Sequence, residues 1–128
     1  MAKILVVDDA RVMRFHISKI INELGHTVTA EAKDGCEALE EYKKEKPDFV
    51  TMDVNMPTVG GVHGGIEAVQ RIIEYDNKAI IIMVSAQTDD EHVSLAIRQG
   101  AKNYLRKPIT ADKLKKMMIF LGFHEFEN

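Results

Sequence analysis

Short, nearly unbroken apolar runs alternate along this chain with longer stretches whose apolar residues recur every three or four positions, and this alternation constrains the fold most. Ile4-Val7, Phe49-Met52, Ala79-Val84 and Tyr104-Leu105 have the length of strands and lack an exposed polar face. Strands of that kind are covered on both sides, as in a parallel sheet. Thr27-Glu31 is more polar and suits an edge. Between them, Met13, Ile17, Ile20, Ile21 and Leu24 keep helical spacing and stop at Gly25, a favourable residue just past a helix end. Asp34 is placed to cap a second helix carrying Ala38, Leu39 and Tyr42, which must end before Pro47. Ile66, Val69 and Ile73 mark a third. Thr88-Asp89-Asp90-Glu91 is a capping box for a fourth that Gly100 closes, and Leu114, Met117, Met118 and Leu121 mark a fifth.

The pattern is β-α repeated five times, which predicts an α/β fold: a five-stranded parallel sheet with right-handed crossovers and five helices on both faces. Asn55 to Gly65, rich in glycine, is expected to be a long loop, with Ile66 opening the third helix. The 128 residues suit one domain, bounded at 1–121 with a short tail at 122–128 and no output domain. A net charge of −3 gives no reason to expect nucleic acid or an anionic membrane as partner. No apolar run approaches the roughly 20 residues of a membrane helix. Met1-Ala2-Lys3 leads into a strand rather than a secretory signal, so a cytoplasmic location is expected. A lone cysteine, Cys36, excludes an internal disulfide and any cysteine-based metal cluster; it is expected to pack at the start of the second helix.

Open α/β sheets bind ligands beyond the carboxyl ends of their strands, near the point where strand order reverses. In this chain the first strand ends in Asp8-Asp9, the third in Asp53, the fourth in Ser85 and the fifth in Lys107-Pro108. Three carboxylates, a hydroxyl and an ammonium thus converge on one rim. Acids so gathered raise one another's pKa unless a cation joins them. An all-oxygen donor set with no neighbouring His or Cys favours a hard ion, and Mg²⁺ suits few protein ligands. With Lys107 supplying further positive charge and Ser85 a hydrogen bond, the rim fits a small dianion such as a phosphoryl group. Asp53 is then a candidate nucleophile, since a carboxylate can form an acyl phosphate. Taken singly, each residue has an ordinary reading: Asp8-Asp9 as a helix cap, Asp53 as a solvated loop acid, Ser85 as a turn former, Lys107 as a surface charge. Their common position at strand ends is what favours chemistry.

Val6-Val7-Asp8-Asp9, Met52-Asp53-Val54-Asn55-Met56-Pro57, Val84-Ser85-Ala86 and Lys107-Pro108 together resemble the receiver domains of two-component response regulators, particularly the single-domain chemotaxis type. The resemblance runs from Lys3 to about Leu121 and implies the strand order 2-1-3-4-5 of flavodoxin-like folds. It implies that Asp53 is the phosphoacceptor and that Asp9, Asp53 and the Asn55 backbone carbonyl ligate Mg²⁺, with Asp8 acting through a metal-bound water. Ser85 and Lys107 would bind the phosphoryl oxygens. The phosphoryl donor would be a sensor histidine kinase. The domain would catalyse its own phosphorylation and autodephosphorylation, with no separate substrate. Asn55 and Gln87, two residues past the acceptor and the hydroxyl, would tune hydrolysis to seconds or minutes. Ser85 and Tyr104 would form the switch: the ring turns inward as Ser85 moves toward the phosphate. The segments holding Arg98, Lys102, Arg106, Lys113, Lys115 and Lys116 would present the output face, either to an acidic partner peptide or as a solvated basic surface. A flagellar-motor switch is the expected target, with a phosphorelay step or regulation of another kinase as the alternative. A monomer is expected.

Departures and rivals also follow from the sequence. The family's short turn after Met-Pro is here extended, as Val62-His63-Gly64-Gly65 forms an apparent insertion beside the acceptor, read as a mobile surface extension, a flap over the acyl phosphate or a kinase-specific contact. His63 has no second soft ligand beside it, so metal binding there is not expected. A haloacid-dehalogenase-type phosphatase would place an acid at position 55, where Asn55 stands. A flavin site would need a Ser/Thr/Gly-rich loop after the first strand. A receiver that only binds partners and is no longer phosphorylated remains the third reading, against which the intact Asp8, Asp9, Asp53, Ser85 and Lys107 speak.

Overall fold

A strand that is apolar on both faces stays in water's reach unless both sides of its sheet are covered, and this chain covers both. The computed structural model describes residues 1–86 and 90–123. Strands β1 (Lys3–Val7), β2 (Thr27–Ala32) and β3 (Phe49–Asp53) are followed by two short strands, β4 (Thr58–Val59) and β5 (Val62–His63), and then by β6 (Ile81–Ser85) and β7 (Asn103–Arg106). The five longer strands form one parallel sheet in the order β2-β1-β3-β6-β7. Because β4 and β5 belong to a separate hairpin, this is the 2-1-3-4-5 order of the sequence reading. The helices are α1 (Arg11–Glu23), α2 (Gly35–Glu45), α3 (Gly64–Tyr75), α4 (Asp90–Arg98) and α5 (Ala111–Phe120).

Side chains alternate between the two sheet faces. Leu5, Val7, Val50, Met52, Ile81 and Met83 pack with Ala38, Ala68, Val69, Ile72 and Ala96 of α2, α3 and α4. Ile4, Val6, Phe49, Ile82 and Val84 pack with Ile17, Ile21, Leu114 and Met118 of α1 and α5. Complete burial of residues such as Ile72 and Leu114 stabilises the fold by about 1.5–3 kcal/mol each. The polar β2 lies at one edge and is only half buried. Asp34 caps α2 as its position suggests, its Oδ1 accepting from the Glu37 N–H at 2.8 Å. Gly25, at φ +87°, follows the end of α1. No helix among the described residues is long and apolar enough to cross a membrane.

Three expectations change. The fourth sheet strand begins at Ile81 rather than Ala79. The helix expected from Ile66 begins at Gly64. The stretch read as an irregular, mobile loop holds the antiparallel β4–β5 hairpin, in which Thr58 pairs with His63 and Val59 with Val62. Gly60 and Gly61 take φ values of 59° and 80°, the positive pair that a two-residue type I′ turn requires. Val62 is 2% exposed and joins the core beneath, so the hairpin is anchored rather than loose. Its turn rests on the start of α2: a Cβ at Gly60 would lie 2.7 Å from the Cys36 Sγ, which explains why that cysteine is half buried. Gln87, Thr88 and Asp89 lie outside the described residues, and with them the expected cap of α4.

Candidate functional site

Parallel strands all end on the same side, so β1, β3, β6 and β7 deliver their last residues to one rim. Backbone bonds tie those ends together: Asp8 N–H to Ala32 O at 3.0 Å, Val54 N–H to Val84 O at 3.2 Å, and Lys107 N–H to Ser85 O at 2.7 Å. The three acids converge there, with one oxygen from each of Asp8, Asp9 and Asp53 within 4.8 Å of the others. Asp8 is 1% exposed and Asp53 4% exposed, while Asp9 faces solvent. Lys107 reaches between them, its Nζ 3.4 Å from Asp8 Oδ2 and 3.5 Å from Asp53 Oδ1. Ser85, 2% exposed, closes the neighbouring strand end. The peptide between Lys107 and Pro108 is cis.

The ordinary reading of Asp8-Asp9 as a helix cap does not hold. Ala10 is the residue at the N-terminus of α1, and no side chain caps it. Asp8 instead turns its Oδ1 to the Ala10 N–H at 2.8 Å. Its Oδ2 is buried and makes no hydrogen bond, although Lys107 stands near. A buried carboxylate oxygen that accepts no hydrogen bond is costly, and the single ammonium at this distance offsets only part of that cost. Asp53 is buried beside the other acids as well. Burial, with Asp8 and Asp9 adding repulsion, pushes its carboxyl from 3.8 up to about 6, against the pull of Lys107 and a hydrogen bond from the Asn55 backbone. One lysine therefore leaves the cluster short of positive charge, and an all-oxygen set with an unsatisfied buried atom fits Mg²⁺.

The remaining expected residues sit around this cluster. Asn55 is exposed at the mouth. Tyr104 is half buried on β7 and packs on the core under α2, α3 and α4, with the Arg106 guanidinium 5.2 Å from its ring centre. Of the basic residues assigned to the output face, Lys113 is tied to the carbonyls of Arg106 and Pro108 at 3.3 and 3.0 Å, and Lys116 pairs with Asp112 at 3.2 Å. Both are already partly satisfied within the chain.

Sequence reasoning missed three contributors. Gly65 abuts the acceptor: a Cβ there would collide with the Asp53 carbonyl oxygen. The second Gly-Gly pair was its only signal. His92 of α4 lines a pocket of about 270 Å³ with Asn55, Met56, Thr58 and His63, a neighbourhood that their separation in sequence hides. Arg14, on α1, donates from Nη1 to the Asp8 carbonyl at 2.7 Å and from Nε to Glu31 Oε1 at 3.1 Å. Nothing in helical spacing distinguishes it from a surface cation.

Comparison with known proteins agrees with this architecture. The pattern of the response regulator receiver domain matches residues 4–119. The chemotaxis protein CheY of Bacillus subtilis is 44% identical over 112 residues, covering 88% of this chain and 90% of that protein. CheY of Thermotoga maritima is 41% identical over 112 residues, with the same coverage of 88% and 90%. Among solved structures, CheY in the CheX-CheY-BeF3-Mg complex of Borrelia burgdorferi superposes with a TM-score of 0.84 at 31% identity, over 93% of this chain and 88% of that one. Fold, rim residues and relatives agree: this chain belongs to the response regulator receiver domain family.

Proposed function

We propose that this receiver is a phosphorylation switch, taking a phosphoryl group from a sensor histidine kinase onto Asp53 and passing the signal by direct contact with another protein. The observation that carries the reading is Lys107 placed between Asp8 and Asp53, its Nζ 3.4 and 3.5 Å from their oxygens, with the buried Asp8 Oδ2 making no hydrogen bond. An Asp53 carboxylate oxygen attacks the phosphorus of a phosphohistidine. The P–N bond breaks, its electron pair returns to the imidazole, and an acyl phosphate remains on Asp53. Lys107 balances the charge arriving on the phosphoryl oxygens, and the Ser85 hydroxyl donates to one of them. Asp9, Asp53 and the Asn55 carbonyl, with Asp8 through water, would hold Mg²⁺, which when bound neutralises the acids and the transferred group. Asn55 and Gln87 orient the water that later hydrolyses the acyl phosphate.

The new charge of about −1.5 to −2 draws Ser85 and lets Tyr104 turn inward, remodelling the face formed by α4, β7 and α5. A partner that prefers the remodelled face must in turn favour phosphorylation. Kinship with chemotaxis proteins supports a motility role in the cytoplasm, with a flagellar-motor switch as target, and residues 1–121 acting as a monomeric unit. The Borrelia relative in complex with CheX supports protein contact as the output.

Incubation with acetyl phosphate and magnesium should add the mass of one phosphoryl group to the wild type and none to Asp53→Asn. A wild type that gains no mass would overturn the reading. Binding to a motor-switch peptide should tighten on phosphorylation; unchanged binding would favour a relay role instead.

A further inference from the structure

Asp8 and Asp9 follow the end of β1 in a turn, and a turn holds two like charges together only if its backbone is fixed. Three of the four contacts that fix Asp8 are ordinary: its N–H reaches Ala32 O of β2, its Oδ1 takes the Ala10 N–H, and its other oxygen pairs ionically with Lys107 at 3.4 Å. The fourth is not. The Asp8 carbonyl, immediately before Asp9, accepts from Arg14 Nη1 at 2.7 Å. The same guanidinium donates from Nε to Glu31 Oε1 at 3.1 Å, and Ser18 Oγ lies 3.5 Å from the other oxygen of that carboxylate. Arg14's side chain is 15% exposed against 45% for Glu31, so most of it is spent inside this contact rather than in solvent.

We propose that Arg14 is a positioning residue for the magnesium site: one planar fork that clamps the Asp8–Asp9 turn to the end of β2 and sets the two acids for the ion. The proposal rests on the reading that Asp8, Asp9 and Asp53 bind Mg²⁺. Three features support it. The donor meets the carbonyl of the peptide that links the two acids, so its loss frees Asp9's backbone and not a remote loop. The fork has two acceptors at fixed directions, a geometry that guanidinium meets and a lysine ammonium does not. The cation also lies beside an acid cluster that is short of positive charge, without reaching a carboxylate of that cluster, so it helps gather the acids without competing for their oxygens.

The test is a direct Mg²⁺ titration by calorimetry on wild type, Arg14→Ala, Arg14→Gln, Arg14→Lys and Glu31→Gln, with urea unfolding of each in magnesium-free buffer. Loss of a group that orients metal ligands weakens metal affinity by roughly 10- to 100-fold. Arg14→Ala should fall in that range. Arg14→Gln, which can still donate one bond to the Asp8 carbonyl, should fall less, and Arg14→Lys should recover only part of the loss. Glu31→Gln keeps an acceptor for Nε but loses the charge that anchors the fork, and should weaken Mg²⁺ binding less than Arg14→Ala does. A residue that merely braced the fold would lower the urea midpoint and leave the Mg²⁺ Kd unchanged. Wild-type affinity in Arg14→Ala therefore overturns the proposal; if that variant does not fold, wild-type affinity in Arg14→Gln overturns it equally. Absence of Mg²⁺ binding in the wild type would remove the underlying site, and the proposal with it.

Discussion

Asp53 is held in a place that suits its neutral form better than its charged one, and that has a consequence for stability. Its folded-state pKa of about 6 lies above the 3.8 of an unfolded aspartate. The metal-free native state therefore holds its proton more tightly than the unfolded chain. The contribution of Asp53 to stability is undiminished below about pH 4 and falls as pH rises through 6, by up to about 3 kcal/mol at neutral pH. Asp53→Asn removes the charge, so without metal at pH 7 it should unfold at a higher temperature than the wild type. At pH 4 the gap should close. Added Mg²⁺ should stabilise the wild type alone. Calorimetric midpoints of both proteins across this pH range decide it, and a gap between them that is the same at pH 7 as at pH 4 would contradict the site's electrostatics. Thr51, two residues upstream on the same strand, presents a second residue-scale case. It is 2% exposed and its hydroxyl has no hydrogen-bond partner. Valine has nearly the same shape without the unsatisfied group, so Thr51→Val should stabilise the protein by about 1 kcal/mol in urea. A loss of stability would mean that the hydroxyl is satisfied after all.

At the scale of elements, the junction from β3 to α3 determines how close a helix can come to the acceptor. The Gly65 N–H bonds to Val54 O at 3.2 Å, and its missing side chain lets the first turn of α3 lie against the Asp53 carbonyl. Alanine at this position collides with backbone, not with a side chain that could swing away. Gly65→Ala should cost about 2 kcal/mol or more and slow acetyl-phosphate labelling together with it. Normal labelling in a stable variant would show that the junction has room to spare. The hairpin ahead of it illustrates a limit of sequence reading at this scale. Gly60-Gly61 between Val59 and Val62 carries the signal of a tight hairpin, yet the surrounding glycines and the single proline made the stretch look irregular. What settles it is Val62, whose burial depends on a helix that begins 27 residues earlier at Gly35, where a Cβ would sit 2.7 Å from Val62 Cγ1.

Across the whole molecule, one hydrogen bond ties two helices together at the end of the sheet away from the acid rim. Far from the acid rim, the Tyr42 hydroxyl donates to Asp76 Oδ2 at 2.8 Å and joins α2 to the residue that ends α3. Burial and the neighbouring carboxylate raise the phenol's pKa well above its ordinary value, so the ring stays protonated and the bond persists at any physiological pH. Tyr42→Phe should therefore cost about 1 kcal/mol in chemical denaturation and leave the labelling rate at Asp53 unchanged. A changed rate would reveal coupling between the two ends that their separation does not suggest.

By itself, the sequence determined the class of fold, the number of sheet strands and the identity of the rim residues, while the order of the strands came only through the resemblance to receiver domains. The first three depend on local periodicity and on which residue ends each strand, both written along the chain. Only the tertiary structure decided that Arg14 holds the Asp8 carbonyl, that Val62 is core, that His63 and His92 share a pocket, and that Gly65 must lack a side chain. Each of these is a contact between segments far apart in the chain or a clearance of a fraction of an ångström. Neither distance is encoded in spacing; both arise when helices are laid on a particular sheet.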